Sequence, residues 1–122
     1  MFQIAAHPDL IKLFRKETFA AWVQTPAAQD AVAAALAAVK RNGMALEISS
    51  AAIRKGLGEP YPGPVIMGIA RDMDIPVSFG SDAHAVADVA FAFDELAAYA
   101  RKFGYAKSAV FRNKAMEMRD FT

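Results

Sequence analysis

The chain reads as an α/β protein built from parallel βα units. Three observations predict this class. Short apolar runs of strand length alternate with helical stretches whose apolar residues recur at i, i+4 and i+7. Pro and Gly punctuate the boundaries between them. Polar and potentially reactive residues follow each strand, where functional groups of parallel sheets collect. At 122 residues the chain is one domain or part of one.

Residues 2–6, Phe-Gln-Ile-Ala-Ala, form an apolar run stopped by His7-Pro8 and read as a buried first strand, because the residue before Pro avoids the helical region. Thr25 then offers an N-cap and Pro26 a first helical position, and Val32, Leu36 and Val39 carry that helix to Asn42-Gly43. Residues 44–49 read as the second strand and residues 56–63 as a Gly/Pro loop. Pro64 opens a helix with Val65, Ile69 and Met73 on one face, and residues 76–80 give a third strand. Val89, Phe93, Leu96, Ala100 and Phe103 mark the last helix, with Gly104 as its C-cap, and a short strand is expected near residues 109–111. Alternation sets Met44, Leu46 and Ile48, Val77 and Phe79, and Phe2 and Ile4 on the apolar parity of their strands. Glu47, Ser49, Ser78, Gln3 and His7 fall on the other.

Composition narrows the function. Hydrophobic residues make up 55 % and charged residues 22 %, enough apolar side chain for a packed core. Fourteen basic against thirteen acidic side chains leave no uniform basic field, so neither nucleic acid nor a membrane surface is an expected partner. The longest charge-free stretch, residues 18–29, contains two Gln, two Thr and a Pro and is too short to span a bilayer. The first residues lack the cationic region of a secretory signal, and a cytoplasmic protein is expected. With no Cys there are no disulfides, no thiolate nucleophile and no sulfur ligands, so any metal must sit on His and carboxylate.

Three clusters follow the strands: His7-Pro8-Asp9, then Ser49, Ser50, Arg54 and Lys55, then Gly80-Ser81-Asp82-Ala83-His84. In an extended loop, residues two apart such as Asp82 and His84 can face one cavity, as chelation requires. The competing reading is that Ser81 or Asp82 caps the following helix and His84 is a surface residue. His7 alone reads as a structural residue before Pro. Arg54 and Lys55 suit an anionic substrate or form a solvated pair. Glu47 is unusual in an apolar strand, since a buried carboxylate needs a cation, a metal or a proton. Phe14, Phe19 and Trp22 read as core or interface residues, and the serines lack a partner for a Ser-His-Asp relay.

Taken together, His7-Pro8-Asp9-Leu10, Ala45-Leu46-Glu47-Ile48-Ser49, Arg54-Lys55, Glu59-Pro60-Tyr61-Pro62 and Gly80-Ser81-Asp82-Ala83-His84 resemble the polymerase and histidinol phosphatase (PHP) family, and within it the histidinol-phosphatase branch. The likeness holds in order and spacing over nearly the whole chain and is to the carboxyl-terminal half of such an enzyme. It implies a distorted (β/α)7 TIM-like barrel, of which residues 1–122 are a single partial domain. It also implies three divalent metals (Zn, Mn or Fe) at the strand ends, hydrolysis of phosphate esters, and a place in histidine biosynthesis. On this resemblance His7 is a metal ligand, Asp82 a carboxylate ligand of one metal and His84 a ligand of another. Asp82 and His84 carry the chemistry, and Arg54 receives the substrate phosphate.

The family's opening His-x-His, further His ligands and bridging Glu belong to an amino-terminal half outside this chain, so the ligand set is incomplete. Ser49 stands where Asn is common, and Ala85 where a basic or polar residue is common. Polymerase-associated PHP domains carry Gly-Arg after the His-Pro and lack Glu-Pro-Tyr-Pro, which favours the phosphatase over a nuclease fragment. The expected partners are a small phosphorylated substrate and either a second copy of the chain or the missing amino-terminal half. The other reading is a non-catalytic half-barrel or assembly module.

Overall fold

The computed structural model describes residues 2–122. Its centre is a three-stranded parallel sheet in the order β1 (Ile4–Ala5), β2 (Ala45–Ser49), β3 (Val77–Gly80). The connections carry α1 (Lys16–Trp22) and α2 (Pro26–Arg41) between β1 and β2, and α3 (Ala51–Arg54) and α4 (Pro64–Asp72) between β2 and β3. After β3 come α5 (Phe93–Lys102) and an antiparallel hairpin of β4 (Lys107–Arg112) and β5 (Ala115–Asp120). This mixed α/β arrangement is compatible with a partial βα fold, and the sheet in this chain is open rather than closed into a barrel. Among the described residues, no helix is long and apolar enough to cross a membrane.

Local chemistry explains the elements that the sequence predicts. The Thr25 hydroxyl accepts from the Ala28 amide at 3.3 Å and Pro26 takes the first helical position, so α2 begins where its cap demands. Pro64 likewise opens α4, after an extended Gly63. Register pairs Ala5 with Leu46, Leu46 with Val77 and Ile48 with Phe79, placing these side chains on one face of the sheet. There they meet the helices. Leu46 packs with Leu36 of α2 and Ile66 and Ala70 of α4, and Ile48 and Val77 pack with Met67 of α4 and Leu96 and Ala100 of α5. The opposite face carries Ile4, Ala45, Glu47, Ser49, Ser78 and Gly80.

Two elements depart from expectation. The first strand is two residues long and lies at the sheet edge, with Phe2 83 % and Ile4 38 % exposed, so it is not a buried strand over residues 2–6. Its parity is also reversed: Ala5 faces the helices, and Ile4 pairs with Ala45 on the Glu47 face. Apolar character misleads in so short a run, because Phe2 and Ile4 outweigh the small Ala5 that makes the contact. The last helix starts at Phe93 rather than Val89, since Ala90 and Ala92 adopt left-handed φ and Val89 is exposed. The strand expected near residues 109–111 is present as β4, and a further strand follows it in a hairpin whose Asn113 and Lys114 both have positive φ, the geometry of a type I′ turn. Of the three aromatics read as core or interface residues, Phe19 packs against the core, and Phe14 and Trp22 are exposed, so for these two only the interface alternative stands.

Candidate functional site

The carboxyl edge of the sheet gathers the predicted residues in two groups. The first lies after β1. Pairing with β2 ends at Ala5, and His7 then takes a φ of +31°, a conformation that turns the chain out of the strand. Its Nδ1 lies 2.8 Å from Glu47 Oε2, with both side chains largely buried. The Tyr61 ring sits 6.0 Å from the imidazole. Glu47 reaches His7 across Gly80: a Cβ built on Gly80 would lie 2.9 Å from the Glu47 carboxyl carbon, so glycine alone leaves room for that carboxylate.

The second group follows β3. Asp82 adopts a φ of +48°, which Asp tolerates better than most residues. Arg54, at the end of α3, donates from Nη1 to the Ser81 carbonyl at 2.8 Å and from Nη2 to the Asp82 carbonyl at 2.9 Å, and its Nε is 3.7 Å from Asp88. His84 Nδ1 lies 2.7 Å from the same Asp82 carbonyl. The helix-cap reading of Ser81 or Asp82 is not met, whereas His84 is exposed, as the surface reading has it. Asp88 serves instead, its Oδ2 accepting from the amides of His84 and Ala85 at 3.2 Å each.

A network that sequence reasoning missed joins the loop after β1 to residues 59–63. Lys12 is buried, with Nζ 2.9 Å from Asp9 Oδ2 and 3.1 Å from Glu59 Oε1, and it donates to the Pro60 carbonyl at 2.7 Å. Asp9 Oδ2 also accepts from the Gly63 amide at 2.7 Å, which ties the loop after β1 to the Glu59-Pro60-Tyr61-Pro62 segment. The i, i+3 spacing of Asp9 and Lys12 was the available signal. Tyr61 is buried, and its hydroxyl has no hydrogen-bond partner among the described residues, nor do Asp9 Oδ1 and Ser50 Oγ. Burial first, then the negative charges of Asp9 and Asp82, push the Tyr61 phenol up. An apolar cleft of about 300 Å³ lies beside Lys12 and Glu59, lined by Phe19, Val23, Leu57 and Ile66, and none of His7, Arg54, Asp82 or His84 lines it.

Imidazole and carboxylate donors suit zinc, manganese or iron in kind. In number they fall short: among the described residues, no three His, Asp or Glu side chains converge on a point where one ion could sit. The unsatisfied hydroxyl of Tyr61, within the electrostatic reach of Asp82, shows that this edge holds polar capacity the chain does not use internally.

No protein-family model matches the chain. It is 35 % identical over 83 residues to the probable histidinol-phosphatase of Deinococcus radiodurans, an alignment covering 68 % of this chain and 32 % of that protein. It is 36 % identical over 64 residues to the histidinol-phosphatase of Bacillus subtilis, covering 52 % of this chain and 24 % of that protein. The matched segment thus spans about a third or less of each relative. Over those residues the chain bears a histidinol-phosphatase-like relationship to both.

Proposed function

We propose that the chain forms the carboxyl-terminal part of a metal-dependent phosphomonoesterase of the PHP type, acting on a small phosphate ester of the histidinol phosphate class. The observation that supports this most is positional. His7 follows β1, Arg54 follows β2, and Asp82 and His84 follow β3, so all four candidates stand at the carboxyl edge of one parallel sheet. The names of the two relatives give the substrate class.

In this reading His7, Asp82 and His84 are the residues that would hold divalent ions, together with ligands from an amino-terminal half. Such ions, when bound, supply charge neutralisation at phosphoryl oxygens and activation of water. The chain's own contribution is orientation. Arg54 has five N–H groups and places two of them on the Ser81 and Asp82 carbonyls, which leaves donors for a phosphate oxygen while the loop is held. The Asp88 carboxylate fixes the amides on either side of the His84 side chain. A non-catalytic half-barrel is the second reading, favoured by the open three-stranded sheet of this chain.

The test is to supply an amino-terminal half, by fusion or in trans, and assay histidinol phosphate with and without Mn²⁺. Metal-dependent release of phosphate by the combination, and none by the 122-residue chain alone, is expected. An inactive, metal-free combination that nonetheless folds favours the scaffold.

A further inference from the structure

Both histidines of the chain stand with Nδ1 on an oxygen that accepts. The neighbour of His84 Nδ1 is the Asp82 carbonyl at 2.7 Å, which has no proton to give. The neighbour of His7 Nδ1 is Glu47 Oε2 at 2.8 Å, and an ionised carboxylate is likewise an acceptor only. In each neutral ring the proton therefore belongs on Nδ1 and the lone pair on Nε2. An imidazole free in water favours the opposite tautomer, so each contact works against that preference.

We infer that Glu47 and the Asp82 carbonyl are positioning groups that hold His7 and His84 as Nδ1–H tautomers and so present each Nε2 as an electron-pair donor toward a divalent cation. Oxygen partners on the second ring nitrogen serve this purpose in metal sites generally. Here the two partners are built differently. Glu47 lies mid-strand on β2, opposite the helix-packed face, and among the described residues no Lys or Arg forms an ion pair with it. His7 Nδ1 is thus the hydrogen-bond partner of its Oε2, and Gly80 gives its carboxylate the space to reach. The Asp82 carbonyl is held by Arg54 Nη2 at 2.9 Å, on a residue whose φ of +48° departs from the strand. Both histidines thus lie beside left-handed backbone, since His7 itself has a φ of +31°. The inference rests on the metal-dependent reading above only for the identity of the acceptor.

Long-range ¹⁵N–¹H correlation spectra of the imidazoles in the whole chain, at about pH 8 where unperturbed rings are neutral, read the tautomers directly. We expect a pyrrole-type Nδ1 and a pyridine-type Nε2 at both rings. Glu47→Ala should return His7 to the ordinary Nε2–H form and leave His84 unchanged, and Gly80→Ala should do the same by displacing Glu47. Glu47→Gln keeps an acceptor oxygen and should retain the Nδ1–H form, which guards against a fold defect in the alanine variants. Zn²⁺ alone should then shift the Nε2 resonances, with an affinity about tenfold weaker in Glu47→Ala. An Nε2–H tautomer at His7 in the unmodified chain overturns the inference. Nδ1–H rings that ignore Zn²⁺ in this chain sustain the positioning pairs and overturn the presentation of Nε2 to a cation, whereas the metal-dependent reading stands or falls on the assay of the completed enzyme.

Discussion

Arg54 donates to two backbone carbonyls of the loop after β3, so its removal acts on that loop before it acts on any ligand. Arg54→Ala should lower stability by about 1–2 kcal/mol, as charge-assisted hydrogen bonds to partly buried carbonyls are lost. Amide exchange over residues 81–88 should speed up. In an enzyme completed with an amino-terminal half, KM for the phosphate ester should rise more than kcat falls, because a phosphate contact is shared by ground and transition states. Arg54→Lys cannot restore the two-carbonyl fork, and an unchanged KM in both variants would remove Arg54 from substrate binding. Asp9 makes a sharper case. It is fully buried and pairs with a Lys12 side chain that is only 4 % exposed. Asp9→Ala leaves that ammonium with the half-exposed Glu59 and a carbonyl, and should cost about 3–5 kcal/mol in a urea titration. Lys12→Met added to it should recover a good part, since the stranded charge is then gone.

At the scale of elements, Tyr105 shows how the hairpin region is joined to the sheet layer. Its hydroxyl donates to the Ile75 carbonyl at 2.9 Å, just before β3, and burial pushes the phenol up to about 12. The native state therefore keeps a proton that the unfolded chain releases from about pH 10 upward, and stability falls between about pH 10 and 12. Tyr61 and Tyr99 are raised in the same direction, again chiefly by burial. Tyr105→Phe should cost about 1 kcal/mol at neutral pH, and its urea midpoint should decline less steeply above pH 10 than that of the unmodified chain. A parallel decline in the two proteins would mean that other groups govern alkaline unfolding.

The elements legible in the sequence are those with local punctuation. Thr25-Pro26 and Pro64 mark helix starts by cap and imino acid, and Leu46 and Ile48 on β2, like Val77 and Phe79 on β3, alternate over strands long enough for the period to count. β1 was misread because two residues carry no reliable period. α3 is a single turn with no face to repeat. The hairpin turn rests on positive φ at Asn113 and Lys114, and Lys gives no warning of that conformation. In the site, Glu47 was visible as an anomaly, but its partner His7 is forty positions away and only the β1–β2 register brings them together. The Asp82 loop was visible as a cluster, whereas the parts of Arg54 and Asp88 in holding it depend on the backbone path.

Over the whole molecule, the sheet has a free edge and an uneven surface. β1 pairs with β2 alone, and Phe2, Ile11, Phe14 and Trp22, all in the first 22 residues, are exposed. Unpaired strand edges flanked by apolar side chains invite another strand, and since the face bearing Glu47, Ser49 and Ser78 is already largely buried within this chain, it is the β1 edge that is left to pair. Parallel barrels usually need about 200 residues or more to close. Association of the isolated chain, through β1 or the Trp22 surface, is therefore expected to grow with concentration. Light scattering over a tenfold range should show mass rising above the 13.2 kDa monomer. Ile4→Lys, which charges the edge strand without touching the helix-packed face, should shift the balance toward monomer. Supplying an amino-terminal half should compete with self-association, because both would occupy the same edge. A compact monomer at every concentration, unfolding cooperatively, would show that the open sheet is stable without a neighbour and that completing the site requires no partner at β1.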